Sequence, residues 1–78
     1  MKLIPYREKI PQKYISNDPI CLDCKSRNEM WETYSTISNW CKQESDNSVI
    51  VWTYKCSQNL ICLWFEEEKI KMLFELMK

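Results

Sequence analysis

Two of the five cysteines form the close pair Cys21-Leu22-Asp23-Cys24, the clearest chemical pattern in the sequence. Thiolates separated by two residues can bind a metal ion, exchange disulfides or stay reduced in a small core. The chain has no histidine and no glycine, so it lacks the usual base of a catalytic triad and any glycine loop for phosphate. The sequence therefore predicts no catalytic chemistry outside that of thiols.

A structural zinc ion needs more ligands than Cys21 and Cys24, because such sites are closed by four thiolate or imidazole groups. The set that we predict adds Cys56 and Cys41, and its role would be structural because a closed site leaves no position for water. Cys62 is expected to be a small buried hydrophobe. The alternative, which stays open, is that all these thiols are reduced and bind no metal.

The segment 54–59 resembles the hairpin knuckle of the zinc ribbon family, with Cys56 in the place of a ligand. This resemblance implies half of a thiolate site on the hairpin. Asn59 stands where that family has its second knuckle cysteine, and Lys25 stands where the family usually has glycine.

The Cys21 and Cys24 pair, with a helix after it, also resembles the active site of the thioredoxin and glutaredoxin families. The resemblance implies a thiol-disulfide oxidoreductase, in which a helix N-terminus stabilises the reactive thiolate. The second βα unit of that fold has no counterpart in residues 25–48, and no proline precedes the hairpin strand. We expect no enzyme and keep this activity as the enzymatic alternative.

Length and composition predict one small domain over residues 1–78, with an extended arm at 1–20 and a compact core at 21–78. The chain is 45% hydrophobic and 28% charged, which is typical of a folded domain. Three prolines, Pro5, Pro11 and Pro19, disfavour a long helix in the arm.

Eleven basic residues balance eleven acidic ones, so no net field attracts the protein to nucleic acid or to anionic membranes. We therefore expect neither partner, and no small-molecule substrate. A small zinc-dependent nucleic-acid-binding module remains an alternative because basic residues concentrate near the start of the chain: Lys2, Arg7, Lys9 and Lys13.

The first residues lack the pattern of a secretory signal, and the longest apolar run, 60–65, is too short to span a bilayer. An odd number of cysteines also favours a reducing compartment, so we expect a cytoplasmic protein. The absence of glycine, alanine and histidine is typical of an AT-rich genome, which suggests a phage, viral or bacterial accessory protein, in a host cell if viral. Positive φ angles must then fall on Asn, Asp or a strained residue, and the candidates are Asn17, Asn28, Asn39, Asn47 and Asn59.

The elements that position these residues form an α+β fold. Ser26 and Glu29 make a capping box, and apolar residues at helical spacing then predict a helix over 27–42. The alternative is a strand at 33–37, where Thr and Tyr favour extended structure.

Two runs rich in β-branched and aromatic residues, 49–54 and 60–65, predict an antiparallel β-hairpin. A short strand at 2–6 would be a third. A C-terminal helix opens at Glu66, and its apolar stripe is Ile70, Leu73, Phe74 and Met77.

Both faces of the hairpin are apolar, so both must be covered. One interpretation places one helix on each face. The other is that Trp52, Tyr54 and Trp64, with neighbouring Trp31 or Trp40, anchor a protein partner or a second copy. We therefore predict a small non-catalytic protein-binding module, zinc-stapled if the cysteines bind metal, that modulates a larger host or viral assembly.

Overall fold

Four strands and two helices make up the fold in a computed structural model, which describes residues 1–77. Residues 2–43 supply two short strands and the longer helix, and residues 49–77 supply the hairpin and the second helix. The strands are β1 (Lys2–Pro5), β2 (Ile20–Asp23), β3 (Val49–Lys55) and β4 (Leu60–Phe65), and the helices are α1 (Arg27–Gln43) and α2 (Glu68–Met77).

The strands form one mixed sheet in the order β1-β3-β4-β2, which makes this a small α+β domain. β1 is parallel to β3, whereas β4 is antiparallel to both β3 and β2. The predicted hairpin is confirmed, and the predicted strand at 2–6 is present as β1. The sequence gives no indication of β2, because four residues are too few to show the alternation of a strand.

α1 begins as the capping box predicts, since the Ser26 side chain accepts a hydrogen bond from the backbone N–H of Glu29 at 3.2 Å. Thr33 and Thr36 lie within this helix, and their hydroxyls donate to carbonyls one turn earlier, Thr33 to Glu29 at 2.8 Å and Thr36 to Glu32 at 3.1 Å. The alternative of a strand at 33–37 is therefore wrong.

Both helices pack on the same face of the sheet. The core joins inward side chains of the hairpin to residues of both helices, and Phe65 lies at its centre, 5.4 Å from Phe74 of α2 between ring centroids. Met30 and Ile37 of α1 are buried in the same core. The interpretation with one helix on each face is therefore wrong.

The segment between β1 and β2, residues 6–19, covers the other face of the sheet, where Val51 and Cys62 are buried. Tyr6 packs on Trp64 of β4, with ring centroids 5.2 Å apart. The Asn17 side chain donates to the backbone carbonyl of Phe65 at 2.9 Å. The predicted arm is thus a cover for the sheet.

Candidate protein-binding surface

Cys21 and Cys24 lie on opposite faces of the sheet. Successive side chains of a strand alternate between faces, so two residues three positions apart point in opposite directions. Cys24 lies on the helix face, where its Sγ is 3.7 Å from the Thr33 Oγ1. Cys21 is exposed on the other face, opposite Cys62 of β4. The two thiols of the close pair are therefore not arranged as one site.

The other two predicted zinc ligands are also separate from the pair. Cys41 is buried in the core on α1, where burial raises the pKa of its thiol and the nearby amino terminus lowers it by less. Cys56 is exposed in the turn between β3 and β4. Within residues 1–77, no three His, Cys, Asp or Glu side chains are grouped to hold a metal ion. The set Cys21, Cys24, Cys41 and Cys56 does not fit one zinc ion in this fold.

Two of the three predicted partner-binding aromatics lie side by side. Trp52 and Tyr54 stack on β3 with ring centroids 5.8 Å apart. Two residues of α1 extend this group: Trp31 lies 5.1 Å from Tyr54, and Tyr34 lies 4.7 Å from Trp52. We call these four residues the aromatic cluster. Its outer members, Trp31 and Tyr54, are exposed.

The remaining tryptophans lie elsewhere. Trp64 is on the opposite face of the sheet, half-covered by Tyr6. Trp40 is buried between the helices and packs on Phe74 at 5.6 Å. The aromatic cluster therefore includes Trp31 but neither Trp64 nor Trp40.

A second apolar surface lies on the outer side of α2. Ile70 and Phe74 point into the core, whereas four other apolar side chains of this helix face solvent. Leu76 is 84% exposed and Met72 is 58% exposed, although both are large and apolar. We call this group the α2 apolar surface; its members are Met72, Leu73, Leu76 and Met77.

A groove of about 210 Å³ adjoins this surface between α1 and α2. Its lining is mostly apolar, and Met77 belongs both to the lining and to the α2 apolar surface. The two threonines in the lining direct their hydroxyls to carbonyls of α1, at distances of 2.8 and 3.1 Å. The groove is lined by Leu22, Thr33, Thr36, Ile37, Phe74 and Met77.

Sequence reasoning missed Met72 and Leu76, because it assigned the apolar residues of α2 to one buried stripe. The signal was nevertheless present, since apolar residues occupy more than one side of this helix. A helix that is apolar on several sides is normally covered on several sides. Leu73 and Met77 belong to the predicted stripe, yet they are exposed.

No family model matches the chain, and comparisons with curated proteins and with solved structures also found no match. Within the part of the chain that the structure describes, neither helix has the length and hydrophobicity needed to cross a bilayer.

Proposed function

We propose that this protein is a small non-catalytic protein-binding domain and that the α2 apolar surface is where its partner binds. The observation that carries the proposal is the exposure of neighbouring large apolar side chains on one short helix, led by Leu76 and Met72. Contiguous exposed apolar patches on soluble domains are typical of interaction sites. The partner is another protein or a second copy of this chain.

Covering this surface would supply a substantial binding free energy. Full burial of one leucine or methionine side chain contributes roughly 1.5–3 kcal/mol, and about 1.4 kcal/mol changes an affinity tenfold. Leu76 and Met72 are one turn apart on α2, so one partner segment can cover both.

The adjacent groove supports an apolar anchor from the partner. The hydroxyls of Thr33 and Thr36 already donate within α1, so these residues leave mainly their methyl groups for an incoming side chain. Amphipathic helices bind in such grooves through apolar residues spaced one turn apart. We therefore favour an amphipathic helical segment as the bound element.

The predicted partner-binding residues Trp52 and Tyr54 belong to a separate region, on the opposite side of α1. The exposed rings of Trp31 and Tyr54 make the aromatic cluster a second candidate contact for the same function. Membership of the partner in a larger host or viral assembly stays a prediction from composition.

The test compares binding by the wild-type chain with binding by Leu76→Glu, which places a charge in the α2 apolar surface. Ser35→Glu is the matched control because it adds the same charge at an exposed position on α1. Circular dichroism first establishes that each variant is folded. Sedimentation equilibrium then measures self-association, and quantitative affinity capture from cells measures other partners.

We expect Leu76→Glu to bind the partner at least tenfold more weakly, which corresponds to a loss of about 1.4 kcal/mol or more in binding free energy. Ser35→Glu should bind as tightly as the wild type. Equal binding by the wild type and both variants would place the contact elsewhere. Identification of the captured protein would also test the prediction of a larger assembly.

A further inference from the structure

Cys21 and Cys62 are directly opposite each other on neighbouring antiparallel strands, β2 and β4. Both side chains point to the face of the sheet that residues 6–19 cover. No sequence pattern links these two cysteines, because forty residues separate them along the chain. The sheet alone makes them neighbours.

The hydrogen bonds of the sheet determine which type of cross-strand pair this is. The Cys24 N–H donates to the Asn59 carbonyl at 2.9 Å, and this pair has the same register as Cys21 and Cys62. Hydrogen-bonded and non-hydrogen-bonded pairs alternate along an antiparallel ladder. Three steps from a hydrogen-bonded pair, Cys21 and Cys62 therefore form a non-hydrogen-bonded pair.

The other side of β4 gives the same result independently. The Glu66 N–H donates to the Val49 carbonyl at 3.1 Å, so these residues form a hydrogen-bonded pair in the register of β3 and β4. Cys62 and Thr53 are four steps along the same ladder and are therefore also a hydrogen-bonded pair, so the backbone N–H and C=O of Cys62 point to β3. They do not point to β2. In a non-hydrogen-bonded pair the Cα atoms are about 4.5 Å apart, inside the range of roughly 4.4–6.8 Å that disulfides span.

The two thiols differ in access to solvent. Cys21 is exposed on an edge strand, whereas Cys62 is buried, with 5% of the residue exposed. Burial, together with the neighbouring Cys21 thiol, raises the pKa of Cys62 to about 11; Lys55 on β3 lowers it and Asp23 on β2 raises it, both by less. An oxidant in solution therefore meets Cys21 first.

We propose that Cys21 and Cys62 form a site of reversible oxidation by small peroxides, with Cys21 as the attacking sulfur and Cys62 as the resolving sulfur. The Cys21 thiolate attacks one peroxide oxygen, the O–O bond breaks, and the released hydroxide takes up a proton to become water. Cys21 is then a sulfenic acid, oxidised by two electrons.

In the second step the Cys62 sulfur gives up its proton and attacks the Cys21 sulfur. The S–O bond breaks, and the leaving hydroxide takes up a proton and departs as water. For hydrogen peroxide, the sum is one disulfide and two waters from two thiols and one peroxide. The product links the edge strand β2 covalently to β4 and closes a long loop, which constrains the unfolded chain.

Cys24 is not the resolving thiol in this proposal. It lies on the helix face of the sheet, with its Sγ 3.7 Å from the Thr33 Oγ1. A disulfide from Cys21 to Cys24 would require the end of β2 to leave the sheet. The structure thus assigns the oxidation chemistry to a cross-strand pair and not to the Cys-x-x-Cys motif.

The test treats the reduced full-length chain with hydrogen peroxide under native conditions, blocks the remaining thiols with N-ethylmaleimide and maps disulfides without reduction. Cleavage before Asp23 separates Cys21 from Cys24, and cleavage after Leu60 separates Cys56 from Cys62. The linked peptides then report the pairing directly.

We expect wild type, Cys24→Ser and Cys56→Ser to form the Cys21 to Cys62 disulfide, to lose two hydrogens in mass and to recover them with dithiothreitol. Cys21→Ser should form no such disulfide, and it keeps the buried Cys62 in place. A Cys21 to Cys24 linkage, or oxidation of Cys21 to sulfinic acid with no disulfide in the wild type, would overturn the proposal.

Discussion

Trp40 of α1 packs against Phe74 of α2, with ring centroids 5.6 Å apart, and this contact joins the two helices. The ring centroid of Phe74 also lies 5.4 Å from that of Phe65 of β4, so the Phe74 side chain links α2 to both α1 and the sheet. Because α2 is held by its inner side, its outer apolar residues remain exposed.

Replacement of Phe74 with alanine should detach α2 from the core. Truncation of a buried phenylalanine typically costs about 3–5 kcal/mol, through lost burial and the cavity left behind. Urea denaturation measures the free energy of unfolding. The matched control is Leu76→Ala on the same helix. This substitution should change the free energy of unfolding by no more than roughly 0.5 kcal/mol, because the Leu76 side chain is exposed. Equal effects of the two substitutions would contradict the arrangement of α2.

The aromatic cluster should show energetic coupling between helix and sheet. Trp31 and Tyr54 have ring centroids 5.1 Å apart, and such pairs contribute about 0.5–1.5 kcal/mol beyond their burial. A double-mutant cycle with alanine at both positions measures this coupling. Trp31 paired with Tyr6 serves as the control, because Tyr6 lies on the opposite face and should give coupling near zero. Similar coupling energies in both cycles would contradict the contact between Trp31 and Tyr54.

Asp46 should make stability depend on pH in the acid range. The Ser48 N–H donates to its carboxylate at 2.7 Å, and the Ser48 hydroxyl lies 2.5 Å from the same carboxylate and 2.6 Å from that of Glu67. Hydrogen bonding to the Ser48 side chain, and then to its backbone N–H, lowers the pKa of Asp46. The ordinary value is about 3.9, so the stabilising contribution is present above that pH and is lost as pH falls through the lower pKa of the folded state.

Thermal unfolding of the wild type and of Asp46→Asn across acid pH measures this dependence. The difference between them should be present at neutral pH and should shrink in the acid range, where the wild-type carboxylate is protonated. NMR titration of Ser48→Ala should show the pKa of Asp46 returning toward its ordinary value. A constant difference between wild type and Asp46→Asn at all pH values would contradict the role of these hydrogen bonds.

Removal of metal should leave the fold intact. The core is built from apolar side chains of the hairpin and both helices, and the four cysteines predicted as ligands do not converge. Thermal unfolding should therefore be the same before and after dialysis against a chelator, and native mass spectrometry should show the mass of the bare chain. Unfolding by chelator with recovery on zinc addition would instead show a structural metal.

Local signals account for the elements that the sequence predicts. The capping box at Ser26 and the β-branched run of β3 act over a few residues, so α1 and the hairpin could be recognised without knowledge of the fold. Asn59, with φ of 49°, is the one of the five candidate asparagines that adopts the left-handed conformation in the described residues. Lys9, with φ of 72°, was not among the candidates, because lysine has no intrinsic preference for that region.

The features that the sequence does not reveal depend on pairing between distant segments. The register that sets Cys21 beside Cys62 follows from β2 joining β4, and β2 is too short to be recognised alone. The placement of both helices on one face follows from the segment 6–19 covering the other face. The exposure of Leu76 depends on which side of α2 the core occupies, which periodicity alone left unresolved.

Photo-crosslinking from α2 is the most direct test of the proposed binding surface. A benzoylphenylalanine introduced in place of Leu76 should form a covalent adduct with a protein partner or with a second copy after irradiation in cells. The same group in place of Ser35, which is exposed on α1, should form none. Adducts of equal yield from both positions, or no adduct from position 76, would contradict the proposal that the α2 apolar surface binds a protein.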